Sequence, residues 1–397
     1  MTPKTRSITL LVLAQVSALS LWFISAAVLP DMLREHQISQ LAQAALSSAV
    51  AAGFVTGALI SALTGISDRF DPRYVFAACA AVSAASGFAL LFFDPGSTAS
   101  VTMRFITGLM LAGVYPVGMK IAVGWGREDR GLLVGLLVGA LTLGSASPHL
   151  VAWIGQAEWR STISIVSFLT LISSGLILFC ALGPFHAKAP AFKASSITLA
   201  WTNKRVRYAY LGYFGHMWEL YAMWAWVGVA TLASYRFSMA EAEAVSFSKL
   251  TAFLAIGLGG LACVLGGYMA DRIGKAQVTI IAMTVSGLAA LGAAATFGGP
   301  PWITFIVVII WGIAIVPDSP QFSALVADGS PPELAGSLMT FQTAIGFALT
   351  IFTVQITPFA VELTNWPTVM VIMALGPAFG IWFMWKLRML EIGHTHQ

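Results

Sequence analysis

The 397-residue sequence carries little charge: 10% of its residues are Asp, Glu, Lys or Arg, whereas 58% are hydrophobic. Soluble domains contain about 25% charged residues, so this composition excludes a chain whose main solvent is water. The apolar runs are about 20 residues long, which is enough to cross roughly 30 Å of hydrocarbon as helices. The alternating segments of a membrane β-barrel, about 10 residues each, are absent. The sequence therefore predicts an all-α protein that crosses a membrane many times.

Signatures of catalysis and of bound groups are also missing. The only cysteines, Cys79, Cys180 and Cys263, fall in apolar runs, where they indicate core packing and neither a disulfide nor a metal site. There is no Walker phosphate loop, no Cys/His metal spacing and no serine nucleophile elbow. We therefore expect no cofactor, no metal, no enzymatic activity and no drive from ATP. The net charge of +4 comes without a basic run interleaved with aromatics, so nucleic acid is not an expected partner.

Twelve apolar runs of helix length are present, and most of the loops between them are short. The longest gap, 184–206, divides the runs six and six. We predict an N-terminal six-helix bundle over 1–184, a central cytoplasmic loop over 185–206 and a C-terminal six-helix bundle over 207–397. The predicted spans are about 8–29, 43–66, 74–93, 101–124, 131–154, 161–183, 207–233, 247–270, 276–297, 301–326, 334–358 and 366–388.

Lysine and arginine lie mainly on one side of the predicted membrane, the side of both chain ends. The segments on the other side hold only Arg34, Arg160, Arg236 and Lys249. Because positive charge favours the cytoplasmic side, both termini are predicted to be cytoplasmic, in the cytoplasmic (inner) membrane. The first apolar run is too long for a signal peptide and no cleavage site follows it, so it is expected to be a retained helix.

A charged turn occurs twice at matching places in the two halves. The sequence GYMADRIGK, Gly267 to Lys275, has a weaker copy in GISDRFDPR, Gly65 to Arg73. A carboxylate in such a turn can accept hydrogen bonds from the N-terminus of a neighbouring helix, and a glycine lets another helix approach closely. This repeat favours a latch that holds one conformational state; the alternative is a loop that only fixes orientation. The predicted latch residues are Asp68, Arg69, Arg73, Arg104, Gly267, Asp271, Arg272 and Lys275.

These turns resemble the loop signature of the major facilitator superfamily. GYMADRIGK is similar to that family's signature between helices two and three and its echo between eight and nine, and Arg104 and Gly108 in RFITG resemble its fourth-helix motif. The first copy departs from the pattern at Asp71-Pro72. The resemblance implies two pseudo-symmetric six-helix bundles. Spans 1, 4, 7 and 10 would line a central cavity, spans 2, 5, 8 and 11 would lie beside them, and the bundles would rock around a site at mid-membrane.

Ionisable residues within predicted spans cost at least about 2.5–3.5 kcal/mol at the membrane centre, so each needs a reason. His216 and Glu219 lie three apart on one face of span 7, among aromatic residues. An imidazole beside a desolvated carboxyl is suited to loading and releasing protons, and we predict proton coupling there. The alternative is a buried His–Glu hydrogen bond that only stabilises the bundle.

Asp318 lies between Pro317 and Pro320 in span 10. Two prolines break a span, and broken helices within a membrane lie beside protein or a wet cavity. Asp318 is therefore predicted to be a proton-coupling acid or the partner of a base such as Lys120; alternatively the span ends early and Asp318 is near the surface. Lys120 either reaches the cytoplasmic interface or holds an anion in the cavity. Arg104, near the other end of span 4, either reaches the interface, bonds to another helix or contacts substrate.

Further polar and aromatic residues in the predicted cavity helices are substrate-binding candidates. Each alone is also compatible with a helix-to-helix contact, and His149, after Pro148, is equally compatible with a gate. The candidates are Gln15, Trp22, Tyr115, Lys120, His149, Trp218, Tyr221, Trp311, Gln321 and Gln342.

The sequence thus predicts a monomeric secondary active transporter that moves a small organic solute with protons. With Glu219 protonated, Lys120 and Arg104 would leave the cavity positive, which favours an organic anion. One alternative is a proton-antiporting exporter of aromatic or cationic compounds. Another class altogether is a non-transporting membrane receptor or a lipid-handling enzyme, for which the expected extra domain or catalytic cluster is not visible.

Overall fold

The computed structural model describes residues 2–126, 129–155, 158–186 and 193–395, without the side chains of 67, 68, 130 and 393–395. All regular structure in these ranges is helical. Twelve long helical segments follow one another, and ten of them also have the hydropathy expected of a membrane span. The other two, Pro72–Ala89 and Lys204–Tyr235, are equally part of the packing.

The twelve spans are numbered in chain order, and three of them consist of two helices. The bounds are Pro3–Leu19 with Ile24–Glu35 (span 1), Gln40–Thr64 (2), Pro72–Ala89 (3), Thr98–Leu111 with Tyr115–Val123 (4), Arg130–Ile154 (5), Trp159–Leu176 (6), Lys204–Tyr235 (7), Glu241–Ile273 (8), Lys275–Thr296 (9), Pro301–Ala314 with Ser319–Asp328 (10), Pro332–Leu363 (11) and Trp366–Thr395 (12).

Side-chain caps fix several of these starts. The Ser39 hydroxyl accepts from the Ala42 amide before span 2, and the Ser97 hydroxyl from the Ser100 amide before span 4. Such caps satisfy backbone donors that have no partner within the helix. The Asn203 amide oxygen caps span 7 in the same way, so this span begins at Lys204, and a short helix, Ile197–Thr202, precedes it. The predicted loop 185–206 is therefore partly helical.

The two halves pack alike. In the first half, span 2 packs on 4, span 3 on 4 and 6, and span 1 on 5 and 6; in the second, span 8 packs on 10, span 9 on 10 and 12, and span 7 on 11 and 12. Each pair recurs six spans later, as expected for two pseudo-symmetric six-helix bundles. The bundles meet where span 5 packs on 8, span 2 on 11 and span 1 on 7.

Glycine allows the closest helix contacts within each bundle. A Cβ on Gly108 of span 4 would lie 1.9 Å from the Val50 carbonyl of span 2, and one on Gly312 of span 10 would lie 2.1 Å from the Ala255 carbonyl of span 8. Only glycine fits such backbone approaches. The prediction for Gly267 is wrong in this structure, because a Cβ there meets nothing within 4 Å; its neighbour Gly266 is the packed residue, beside Pro317.

Both chain ends lie on one side of the bundles, here called the terminal face, and the opposite side is called the far face. On the terminal face Lys4 pairs with Asp129 at 2.6 Å, and Lys275 pairs with Asp328. These contacts join ends of neighbouring spans within one bundle, so Lys275 does not act as a latch between bundles here.

The other predicted latch residues make no bond between the bundles in the described part of the chain. Arg73 pairs with Asp71 and donates to the Cys180 carbonyl at 3.1 Å, which ties span 3 to the end of span 6. Asp271 and Arg69 are exposed, and Arg272 lies over the ring of Tyr268 in its own helix. The side chain of Asp68 lies outside the described residues. The latch therefore stays a prediction, for a conformation other than this one.

Candidate functional site

Three of the four spans expected to line the cavity are interrupted within the membrane. Span 1 breaks between Leu19 and Ile24, span 4 between Leu111 and Tyr115, and span 10 between Ala314 and Ser319. Spans 4 and 10 occupy corresponding places in the two halves. Interrupted helices at matching positions mark binding sites in transporters, because irregular backbone at membrane depth has to line a cavity or be buried in protein.

Arg104 holds the break in span 1. Its guanidinium donates to the carbonyls of Leu21 at 2.8 Å, Trp22 at 2.6 Å and Leu46 at 3.3 Å, and the side chain is fully buried. A break frees helix carbonyls, and the five N–H donors of arginine can satisfy several of them together. Of the alternatives that the sequence left open, the structure thus shows the bond to other helices, and Arg104 lies neither at the membrane interface nor in a latch here.

The carbonyl of Trp22 is held by Arg104, while its side chain enters an aromatic cluster between the bundles. The Trp22 ring centroid lies 4.8 Å from that of Phe54, 5.5 Å from Phe347 and 5.9 Å from Tyr221. Such pairs add about 0.5–1.5 kcal/mol each beyond the area that they bury. The aromatic cluster comprises Trp22, Phe23 and Phe54 of the first bundle and Tyr221, Trp224 and Phe347 of the second.

The predicted couple of His216 and Glu219 is wrong, because each residue has a different partner. His216 Nδ1 lies 3.0 and 3.1 Å from the two carboxylate oxygens of Asp318. Asp318 also stands at the start of the second helix of span 10, where the helix dipole favours negative charge. It is buried, and it pairs with His216 and not with Lys120, so neither the Lys120 partnership nor the surface location applies.

The His216–Asp318 pair faces the boundary between the bundles. Tyr213 stacks on the His216 ring with centroids 6.0 Å apart, and both residues belong to span 7, which packs on span 1 of the first bundle. Phe322 of span 10 covers another side of the imidazole at 5.6 Å. The imidazole is therefore covered by aromatic rings of its own bundle on two sides.

Glu219 points into the second bundle instead. Its carboxylate accepts from Ser286 Oγ of span 9 at 2.5 Å and from Trp311 Nε1 of span 10 at 2.7 Å. Span 9 packs on spans 10 and 12 of its own bundle, away from the first bundle. Trp311 is thus a partner of Glu219, which gives it a place in the packing of the second bundle.

Several buried polar atoms beside the boundary have no hydrogen-bond partner among the described residues. Among them are Gln15 Oε1, His216 Nε2, Trp224 Nε1 and Gln342 Oε1. The other amide ends are engaged: Gln15 Nε2 donates to the Tyr115 carbonyl at 3.4 Å and Gln342 Nε2 to the Phe322 carbonyl at 3.5 Å. Buried polar atoms without partners are uncommon, and a bound solute or water would satisfy them.

The remaining candidates lie in different settings. Gln321 is buried in span 10, whereas Lys120 is half-buried near the terminal-face end of span 4. Trp218 is on the outer side of the second bundle, where its indole donates to the Ile372 carbonyl of span 12 and its ring packs on Phe352. This corrects its assignment as a cavity residue.

The far-face end of the boundary contains an ion pair that sequence reasoning missed. Lys249 Nζ of span 8 lies 2.6 Å from Asp31 Oδ2 of span 1, and both side chains are buried. Sequence reasoning counted Lys249 with the outer segments because it lies only two residues inside the predicted span 247–270. Nearby, Ser48 of span 2 donates to the Gln355 side chain of span 11 at 2.7 Å. Together with the aromatic cluster, these contacts close the boundary toward the far face.

Comparison with known proteins fits this architecture. The profile of the Major Facilitator Superfamily matches residues 11–354, and no curated protein sequence matches the chain significantly. A point mutant of the nucleoside transporter NupG superposes with a TM-score of 0.74 at 16% identity, covering 97% of this chain and 100% of that one.

Two further structures superpose over nearly the whole chain. A D-xylose-proton symporter has a TM-score of 0.78 at 12% identity, covering 97% of this chain and 98% of its own. The xylose transporter XylE from E. coli, in a partially occluded inward open conformation, has a TM-score of 0.72 at 15% identity and covers 97% and 99%. At such identities these likenesses establish the fold alone. The family match over most of the sequence shows that the chain belongs to the major facilitator superfamily of membrane transporters.

Proposed function

We propose that this protein is a proton-coupled secondary transporter whose bundles rock around a solute site beside the aromatic cluster. The observation that carries the proton coupling is the buried, unpartnered Nε2 atom of His216. Its Nδ1 atom bonds to Asp318, so the neutral tautomer with a proton on Nδ1 leaves Nε2 as an acceptor. A proton that adds to Nε2 converts a pair of charge −1 into a neutral imidazolium–carboxylate pair.

This change of charge gives the pair two states that differ in their cost of burial. An isolated carboxylate is expensive to bury, whereas a paired and hydrogen-bonded one is much less so. Proton uptake therefore favours a closed site around His216 and Asp318, and proton release favours water entry. Glu219 already accepts two hydrogen bonds and points away from the first bundle, so we assign it a positioning role in the second bundle.

For the solute, the arrangement supports a small neutral polar molecule. The unpartnered atoms of Gln15, Gln342 and Trp224 are uncharged hydrogen-bonding groups, and the neighbouring aromatic faces suit a ring. The proteins of similar fold named above are a nucleoside transporter and two xylose transporters, and nucleosides and xylose are both solutes of this kind.

An organic anion is the second candidate, favoured by the half-buried Lys120. That prediction also relied on Arg104, whose donors are occupied by three carbonyls of the first bundle. Export of cationic compounds is the third candidate, and a screen of solutes of different charge tests all three.

The orientation of the chain follows from its charges. The excess of Lys and Arg at the terminal face supports a cytoplasmic location for both chain ends in the inner membrane.

The first experiment measures thermal unfolding of the purified protein with D-xylose, uridine, gluconate and tetraphenylphosphonium. A solute that binds only the folded state raises the midpoint as its concentration rises above its dissociation constant. We expect D-xylose or uridine to do so. Stabilisation by gluconate alone would contradict the neutral solute and support an organic anion. Stabilisation by tetraphenylphosphonium alone would support an exporter of cationic compounds.

The second experiment tests the coupling pair with the stabilising solute in proteoliposomes under an imposed pH gradient. Asp318→Asn should lose proton-driven accumulation and keep solute exchange, because the pair can no longer alternate between the two charges. Glu219→Gln and the exposed Asp271→Asn serve as matched carboxyl controls and should keep accumulation. Loss in Glu219→Gln with retention in Asp318→Asn would overturn the assignment.

A further inference from the structure

His149 of span 5 is a buried titratable residue that the proposed coupling pair does not use. It follows Pro148 near the far-face end of the span, and its side chain is 1% exposed. Its Nε2 atom has no hydrogen-bond partner among the described residues. Toward span 7 it faces Gly228, where an added Cβ would lie 3.7 Å from the imidazole Cε1 atom. The imidazole thus belongs to the first bundle and faces span 7 of the second.

The surroundings of His149 already contain a positive charge. Lys249 of span 8 is close enough to His149 to interact electrostatically. Its Nζ atom donates to the carbonyl of Ala152, one turn after His149 on the same span, at 3.3 Å. The same Nζ atom pairs with Asp31 of span 1 at 2.6 Å. Lys249 therefore joins the second bundle to two spans of the first, directly beside the imidazole.

The other charged groups near this point are engaged elsewhere. On span 1, Glu35 bonds to Arg160 of span 6 at 2.8 Å, and Arg34 lies 3.5 Å from Glu241 of span 8. Asp31 is the acid that pairs with Lys249, and span 7 contributes the uncharged Gly228. Within the described residues, no second buried carboxylate stands ready to balance a proton on His149.

We propose that His149 is a second proton-binding site, which senses the pH on the far face by binding a proton only when the bundles part there. While the boundary is closed, an imidazolium would be buried beside the Lys249 ammonium, with the single neighbouring carboxylate already shared. Parting of the bundles separates Lys249 from span 5 and admits water to the imidazole. Proton binding at Nε2 then holds the far face open. This inference rests on the alternating opening that we propose for transport.

The expected size of the effect follows from the ordinary titration of histidine in water, near pH ~6.5. If protons bind only the open form, the ratio of open to closed protein rises about tenfold between pH ~7.5 and ~5.5. No solute is required for this shift, so its outcome does not depend on which solute the protein carries.

The test measures distances between spin labels across the far face, in lipid nanodiscs without added solute. Labels are attached to cysteines introduced at Phe92, after span 3, and Leu363, at the end of span 11; both side chains are highly exposed and belong to opposite bundles. The three native cysteines are replaced by serine. Pulsed electron resonance then gives the populations of short and long distances at the two pH values.

In the labelled protein with the native His149, the population of the longer distance should increase at the lower pH. His149→Gln should lose this gain, whereas His36→Gln, at a second far-face histidine, should keep it. His149→Lys, with a fixed charge, should show the longer distance at both pH values, and a monodisperse elution profile verifies that each variant is folded. A full pH response in His149→Gln, or its loss in His36→Gln, would overturn the inference.

The two proton sites are separable in this assay. Asp318→Asn should keep the far-face response, since His149 is intact. If Asp318→Asn removes the response while His149→Gln keeps it, the far-face site is refuted and the coupling proposal is supported. The distance measurement uses no solute, so it still tests His149 if the solute screen or the accumulation assay contradicts the proposed coupling.

Discussion

The Arg104 guanidinium donates to the Trp22 carbonyl at 2.6 Å, so a charged residue of span 4 stabilises the backbone where span 1 is interrupted. Replacement by methionine should lower the stability markedly, because each carbonyl left without a donor costs about 1–3 kcal/mol. Arg104→Lys keeps the charge but loses the planar fork of donors, and we expect an intermediate loss. Thermal unfolding in detergent measures both.

Arg69→Met is the matched control, because Arg69 is exposed and should tolerate the same change. Equal midpoints for the Arg104 and Arg69 variants would contradict the role of Arg104 in holding the break.

Substitution by alanine should change the stability in opposite directions at two glycines. In Gly108→Ala the new Cβ would lie 1.9 Å from the backbone carbonyl of Val50, so spans 2 and 4 must move apart and the midpoint should fall. In Gly267→Ala nothing lies within 4 Å, and the better helix propensity should raise stability by up to about 1 kcal/mol. Midpoints from parallel thermal unfolding give the comparison; a loss of stability in Gly267→Ala would mean that this glycine is packed in the purified protein.

The ion pair between Asp71 and Arg73 predicts that the stability of the protein depends on pH. It lies before span 3, and the Arg73 guanidinium, which pairs with its carboxylate at 2.6 Å, holds the pKa of Asp71 below its usual range. A lowered pKa in the folded state adds stability above the unfolded pKa, about 3.9, and this stability is lost as the pH falls through the folded value. Asp71→Asn should therefore be less stable than the native protein at neutral pH, and the difference should shrink as the pH falls below ~3.9 and vanish below the folded pKa of Asp71.

Asp71→Ala provides the control for the cap, because Asn still accepts the Arg73 amide whereas Ala does not. It should cost a further ~1 kcal/mol at every pH. A difference between Asp71→Asn and the native protein that persists unchanged in acid would exclude the ion pair as its source; thermal unfolding across the pH series decides this.

Much of the architecture could be predicted from local sequence. Apolar runs predicted the spans, and the prolines around Asp318 predicted the break in span 10, because both signals depend on a few adjacent residues. The break in span 1 has no such signal: no proline lies between Leu19 and Ile24, and Arg104, which bonds to the carbonyls at the break, is 82 positions from Trp22.

The partners of the buried charges could not be predicted from the sequence either. The spacing of His216 and Glu219 showed that they share a side of span 7, but it could not show that one meets Asp318 and the other meets Ser286. Asp31 and Lys249 are 218 positions apart and near the ends of their spans, where a charge needs no special explanation. Such contacts depend on how the bundles pack, which one sequence does not reveal.

Span 7 differs from the three interrupted spans in being a single helix of 32 residues. His216 and Tyr221 are therefore fixed about 7.5 Å apart along one axis by an unbroken ladder of backbone hydrogen bonds. If a change of charge at His216 tilts span 7, the ring of Tyr221 in the aromatic cluster has to move with it. In the proposed mechanism, proton binding at His216 and closure of the aromatic cluster are thus linked through one unbroken helix.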